Sequence, residues 1–218
     1  MRINTIRLRS MIGWFGILLP WLVLLLSIIN GTGFPESISA TYYVDSAITP
    51  FMIILGSASL LLICYKGYDL IDDIICTLAG VFGLGICLFP CKPALLDYSF
   101  PVGTFQINVN VSNILHCICA ICFFGLLAYN SLFLFTKGNG RPNKKKLTRN
   151  IIYRACGVGM ILSFIALVPM KLFDIKGGTW LVEMFALTFF GISWLTKSDV
   201  YPFLFCDSAL CDKETDNA

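Results

Sequence analysis

Six long apolar stretches constrain the fold of this chain more than any other feature of its sequence. A helix needs roughly 20 apolar residues to cross the hydrocarbon layer of a bilayer, and each stretch comes close to that length. Only 13% of the residues are charged, whereas soluble domains carry about 25%. The sequence therefore predicts an all-α, six-helix transmembrane bundle within a single domain, residues 1–198, followed by a polar tail, residues 199–218. The predicted helices are 11–29, 46–65, 73–89, 113–136, 151–170 and 179–195.

The distribution of basic residues predicts how this bundle is oriented. Thirteen of the sixteen lysines and arginines lie in the N-terminal segment, in the connections after helices two and four, at the start of helix five, or in the tail. The remaining three, Lys92, Lys171 and Lys176, lie in the opposite connections. By the positive-inside rule, both termini are expected to be cytoplasmic.

Charge and cysteine spacing argue against nucleic-acid binding and against a metal site. The net charge is only +3, and no basic face is interleaved with aromatic residues, so nucleic-acid binding is not expected. The cysteines lack the histidine partners and spacing of a zinc site, so we expect no metal and no other cofactor. Cys87 and Cys91 are four residues apart, which leaves a disulfide between them open.

The longest outer connection, residues 90–112, contains Cys91 and is followed closely by His116, the only histidine of the chain. Apolar and polar residues alternate over 105–112, which predicts a short extended piece. The connection at 137–150 is strongly basic, and we expect it to be a solvated loop.

His116 and Glu183 are the main candidates for a site at the outer face. From the predicted helix starts, both lie roughly 5–6 Å below the outer boundary. An ionisable group inside the membrane is by default a functional hypothesis. His116 is a candidate base, ligand or pH switch with Glu183 as the carboxylate that orients it. Alternatively, each side chain satisfies the backbone of a neighbouring loop.

Ser37, Ser39 and Cys91 are the candidate nucleophiles. Serine, histidine and a carboxylate form the minimal set for nucleophilic catalysis, and Lys92 would lower the pKa of Cys91. No Gly-x-Ser-x-Gly elbow is present, and Ser37 fits a cap or turn equally well. The residues expected to contact a ligand at the outer face are Tyr42, Tyr43, Ser39, His116 and Glu183.

The inner face offers acidic and basic clusters. An ion pair between Arg154 and Asp73 is one interpretation, and a cation site formed by Asp69, Asp72 and Asp73 is the other, although the loop geometry of a calcium motif is missing. Basic side chains at this face are expected to attract anionic lipid headgroups. These residues are Arg141, Lys144, Lys145, Lys146 and Arg149.

Several short motifs carry a resemblance to a known family. They are Ser37-Ile38-Ser39 with Tyr42-Tyr43, Leu88-Phe89-Pro90-Cys91, Asn113-Ile114-Leu115-His116, and Glu183 followed by residues 190–197. Together they resemble the uncharacterised multi-pass bacterial membrane proteins called domain of unknown function 998 and, more loosely, the eukaryotic FRAG, DRAM and Sfk group. The resemblance implies a six-pass bundle in a bacterial plasma membrane, without an established activity, and the eukaryotic relatives favour a connection with lipid. The residue after Phe-Pro-Cys is often acidic in that family, whereas here it is Lys92. Ceramidase-like membrane hydrolases use several histidines, so a metal-dependent lipid hydrolase is not expected.

Three functions follow as hypotheses. The first is binding of a lipid or small amphiphile near the outer face, without established catalysis. The second is a lipid-modifying enzyme, an acyltransferase or hydrolase, with His116 as base and Ser37, Ser39 or Cys91 as nucleophile. The third is a small transporter or channel. Its path would be lined by Asp72, Asp73, Arg154 and Glu183.

Overall fold

The structure, a computed structural model, describes residues 2–92, 101–137, 144–173 and 175–198. Over these ranges six helices are long and apolar enough to cross a membrane. They are α1 Arg2–Ile29, α2 Asp45–Cys64, α3 Leu70–Leu88, α4 Val109–Tyr129, α5 Lys144–Leu172 and α6 Gly178–Lys197. The predicted all-α six-helix bundle is thereby confirmed. The predicted tail 199–218 and Arg141 lie outside the described residues.

All six helices begin earlier than the sequence pattern predicts, and the difference is largest for α1 and α5. α5 starts at Lys144 rather than at residue 151. Residues 144–150 are therefore helical, and the prediction of a loop over them is wrong. Lysine, arginine and leucine are good helix formers, and nothing in 144–150 breaks the helix. α1 likewise extends back to Arg2. Hydropathy marks only the part of a helix that meets lipid, and polar residues can continue the same helix beyond it.

The connection before α4 is extended over less of its length than predicted. Strand β1, Pro101–Val102, pairs antiparallel with strand β2, Ile107–Asn108. α4 then starts at once, because the Asn108 side chain accepts a hydrogen bond of 2.9 Å from the Asn110 N–H and caps the helix. The extended prediction for 109–112 is therefore wrong. At its other end α4 continues as a π-helix, Asn130–Leu134.

The helices pack around a core of aromatic and aliphatic side chains. α1 packs between α2 and α6, α3 between α2 and α4, and α5 against α6. Phe51, Phe123 and Phe190 are fully buried between them. α2 and α3 approach closely because Gly80 faces the backbone of Ser59, where a Cβ atom would overlap the carbonyl oxygen. Small residues at such a contact let the backbones of two membrane helices approach closely.

The two ends of the bundle differ in the polar residues that they contain. The basic end comprises Arg9 and residues 65–76, 130–137, 149–153 and 193–197. The histidine end comprises residues 36–46, 89–92, 110–116, 171–173 and 175–183. Hydrogen bonds such as that from Arg9 Nη1 to the Lys197 carbonyl oxygen, 3.3 Å, connect elements at the same end.

Candidate functional site

Glu183 holds the connection between α1 and α2 at the histidine end. Its Oε2 accepts a hydrogen bond of 2.6 Å from the N–H of Ile38, and the Ser39 N–H is a second backbone donor to this carboxylate. Ile38 is only 3% exposed, so its N–H needs a partner within the protein. The 3-10 turn Ser39–Tyr43 follows directly. Glu183 thus ties this turn to α6.

The remaining polar residues of this connection are also engaged in local contacts. Ser37 Oγ accepts a hydrogen bond of 2.9 Å from the Ala40 N–H, which confirms Ser37 as a turn cap. Tyr43 Oη donates to the Cys91 carbonyl oxygen at 2.7 Å, and the ring of Tyr42 packs edge-on against Tyr43 at 5.3 Å. The first connection is therefore linked to the segment after α3.

His116 holds that segment from the side of α4. Its Nδ1 lies 2.8 Å from the Phe89 carbonyl oxygen, a contact in which Nδ1–H donates. Ser112 Oγ donates to the Pro90 carbonyl oxygen at 2.8 Å. Because α4 begins at Val109, His116 lies about 10 Å along the helix from its first residue.

The pKa of Cys91 is shifted in the opposite direction to the one expected from Lys92. Burial, and secondly the nearby Glu183 carboxylate, raise the pKa of the Cys91 thiol to about 12. The predicted lowering by Lys92 is wrong, since the Lys92 ammonium instead reaches Asn110 Oδ1 at 3.4 Å. Cys87 and Cys91 are both free thiols.

The predicted outer residues thus gather at one end of the bundle but serve different partners. Within the described ranges, no hydrogen bond joins His116 to Glu183, Ser37, Ser39 or Cys91. A general base acts on a nucleophile at about 2.6–3.2 Å, directly or through one water. The contacts seen here satisfy loop backbones, which was the alternative interpretation of His116 and Glu183. Their part in binding or catalysis stays a prediction.

A groove between α4 and α5 leads toward the histidine end. It has a volume of about 330 Å³. A Cβ atom added to Gly125 would meet no atom within 4 Å. The lining residues are Ile121, Phe124, Gly125, Ala128, Met160, Ile161, Phe164, Ile165 and Val168. Lys171 is exposed and one helical turn beyond Val168, and it acts electrostatically on Cys91, His116 and Glu183.

The basic end contains a buried cation that sequence reasoning missed. Lys197 is 4% exposed, and its Nζ lies 4.8 Å from the centre of the Tyr68 ring, 5.2 Å from Phe135 and 5.7 Å from Tyr153. Such ring faces attract an ammonium group. A lysine in the last turn of a membrane helix was the available signal, but the aromatic residues around it come from separate parts of the chain.

Arg149 is also turned into the bundle. It is buried, and Nη2 donates to Tyr153 Oη at 3.1 Å. The contact of Arg149 with lipid headgroups stays a prediction, and the buried position of its side chain counts against it. Lys144 and Lys145 are exposed, and their contact with headgroups stays a prediction.

The aspartates of the basic end have separate partners. Asp73 pairs with Lys66 Nζ at 3.1 Å and accepts from the Gly67 N–H at 2.7 Å. The predicted pair with Arg154 is wrong, since the ion-pair partner of Asp73 is Lys66. Asp69 lies 3.4 Å from Lys137 Nζ. Among the described residues, no group of three metal-ligating side chains is found.

Six apolar helices around a buried core define the chain as a multi-pass membrane protein. No protein-family model, curated protein or solved structure compared with the chain matches it.

Proposed function

We propose that this protein binds a bilayer lipid, with one acyl chain in the groove between α4 and α5. The groove itself carries the proposal, because eight apolar side chains and Gly125 line about 330 Å³ in the middle of two membrane spans. At that depth the surrounding solvent is hydrocarbon. An acyl chain is the occupant that matches both the lining and the location.

The headgroup of this lipid lies at the histidine end, beside Lys171. Residues three and four apart on a helix share a face, so Lys171 continues the face of α5 that Phe164 and Val168 present to the groove. Its exposed ammonium favours an anionic headgroup, and such an attraction is worth about 1 kcal/mol near a membrane surface. His116 and Glu183 support this end by holding the connections in place.

The two other functions have less support from the contacts. An acyltransferase or hydrolase requires His116 to meet a nucleophile, and its observed partner is the Phe89 carbonyl oxygen. A transport path from Asp72 to Glu183 would cross the layer that holds Phe51, Phe123 and Phe190, which are buried and packed.

The membrane and family of this protein are part of the same proposal. We infer that the histidine end faces outward from a bacterial plasma membrane, with both termini cytoplasmic, because basic residues concentrate at the other end.

Kinship with domain of unknown function 998 is supported by contacts between the motifs that carry the resemblance. Glu183 meets Ile38, Tyr43 meets Cys91, and His116 meets Phe89.

Native mass spectrometry of the purified protein tests lipid binding. Gly125→Leu fills the groove and should abolish retention of the bound lipid. Gly56→Leu is the matched control, since a Cβ atom at Gly56 also meets nothing within 4 Å and Gly56 lies on α2, away from the groove. Lys171→Gln should shift the retained lipids from anionic to neutral classes. Identical lipid retention in wild type and Gly125→Leu would overturn the proposal.

A further inference from the structure

The basic end encloses four buried polar atoms without a hydrogen-bonding partner. They are Arg9 Nε, Asp72 Oδ1, Asn130 Oδ1 and Trp194 Nε1. Asp72 is 5% exposed, Asn130 1% and Trp194 0%. A buried donor or acceptor that gains no partner is strongly unfavourable, and an apolar bilayer offers none.

Three of these residues, Arg9, Asp72 and Asn130, surround Cys76. Asn130 Nδ2 donates to Cys76 Sγ at 2.9 Å. Asp72 lies one turn before Cys76 on α3, and both Asp72 and Arg9 are within electrostatic range of its thiol. The three unpartnered atoms of α1, α3 and the π-helix therefore lie in one neighbourhood.

Trp194 closes this neighbourhood from α6. Its ring lies 5.0 Å from that of Tyr65, and the Tyr65 ring in turn lies 5.4 Å from the guanidinium of Arg9. Ser131 and Ser193, the residues next to Asn130 and Trp194, are hydrogen-bonded at 2.7 Å. The Trp194 ring, with its unpartnered N–H, therefore borders the same neighbourhood.

The chemistry of the four atoms is complementary to one ligand. Arg9 Nε–H and Trp194 Nε1–H are donors, whereas Asp72 Oδ1 and Asn130 Oδ1 are acceptors. Two donors and two acceptors together suit a ligand that can both donate and accept. Water both donates and accepts, and a buried water makes about three hydrogen bonds to otherwise unsatisfied groups.

We propose that the basic end of the bundle is a water-binding site, in which Arg9, Asp72, Asn130 and Trp194 hold ordered water inside the membrane protein. Asn130 is the first residue of the π-helix, and π-helical turns are frequent at functional sites. This site is separate from the lipid groove and does not depend on it.

X-ray radiolytic footprinting of the full chain in lipid nanodiscs tests the site. Hydroxyl radicals generated from bound water oxidise the side chains beside that water, even when these are buried. Trp194 and Cys76 should be oxidised although both are 0% exposed. Met160 is also 0% exposed and lies among apolar residues, so it should stay unmodified. If Trp194 and Cys76 are oxidised no more than Met160, the proposal is overturned.

A double variant, Asp72→Leu with Asn130→Leu, removes both acceptors. Oxidation of Trp194 should then fall to the level of Met160. The control is Ser131→Ala with Ser193→Ala, which removes a nearby pair that satisfies itself and should leave Trp194 oxidation unchanged. If the first variant does not fold, the wild-type comparison of Trp194 with Met160 decides alone.

Thermal unfolding in sodium chloride and in choline chloride distinguishes water from a bound cation. The proposal expects equal Tm values in the two salts. A sodium-dependent rise in Tm that Asp72→Asn abolishes would place a cation between the two acceptors, and it would overturn the water site.

Discussion

At the scale of single residues, Glu183 shows how an acid inside a helix can serve a loop. Its carboxylate accepts from the buried Ile38 N–H. Glu183→Leu should lower the free energy of unfolding by about 1–3 kcal/mol, because the N–H is left buried without a partner. Glu183→Gln keeps an oxygen acceptor, so its loss should be smaller. Unfolding in mixed micelles of increasing SDS fraction measures both, and equal losses would contradict this role.

The raised pKa of Cys91 gives a prediction on reactivity. Only the thiolate attacks, and an ordinary free cysteine has a pKa of about 8.5. With a pKa of about 12, a variant that keeps Cys91 as its single cysteine should be alkylated at pH 7.5 at least about a hundredfold more slowly than a free thiol. The rate should still be rising above pH 9, since the thiolate fraction grows until the pH reaches the pKa. A rate near that of free cysteine would restore Cys91 as a candidate nucleophile.

At the scale of helices, the contact between α2 and α3 depends on a missing side chain. Gly80→Ala should destabilise the bundle by about 1–3 kcal/mol, the usual effect of overpacking, because the new methyl group overlaps the Ser59 carbonyl oxygen. Gly56→Ala on α2 is the control, since it adds the same methyl group in open space. The thermal unfolding temperature of each variant in detergent is the measurement. Equal Tm values would mean that the two helices can separate without loss.

The helix ends show where hydropathy stops being informative. The apolar part of α5 was predicted from residue 151, but its helix begins at Lys144. Asn108 decides where α4 starts, because its side chain caps the Asn110 N–H. Caps and polar extensions depend on local hydrogen bonds, which an average over a long window does not register.

At the scale of the whole molecule, orientation is the property to test. If the histidine end faces outward, a membrane-impermeant maleimide added to intact cells should label Gln106→Cys in the hairpin connection and not Lys144→Cys at the start of α5. Both positions are exposed, so accessibility within the protein does not distinguish them. The two substitutions are made in a chain whose native cysteines are replaced. Labelling of Lys144→Cys alone would reverse the orientation and move the lipid headgroup to the inner leaflet.

The separation of polar groups into two ends is also a property of the whole molecule. Buried aromatic side chains such as Phe123 and Phe190 lie between the ends. Glu183 and Asp72 therefore act at different ends of the bundle, Glu183 on the Ile38 N–H and Asp72 on the Tyr68 N–H. Their effects on stability should be additive, as expected for distant sites.

The number, type and approximate position of the helices could be determined from sequence alone. A helix that crosses the hydrocarbon layer needs a continuous apolar run of a certain length. Such a run can be recognised within a single stretch of sequence. Counting spans also predicts that His116, Glu183 and residues 37–45 belong to the same side of the membrane. These residues do meet at one end of the structure.

Only the tertiary structure decided which groups are partners. His116 was paired with Glu183 in the sequence interpretation, yet its partner is the Phe89 carbonyl oxygen. Arg149 was assigned to the lipid surface, yet it lies against Tyr153. The rotation of each helix about its axis and the path of each connection set these contacts. Both depend on how all six helices pack together, so no single stretch of sequence contains them.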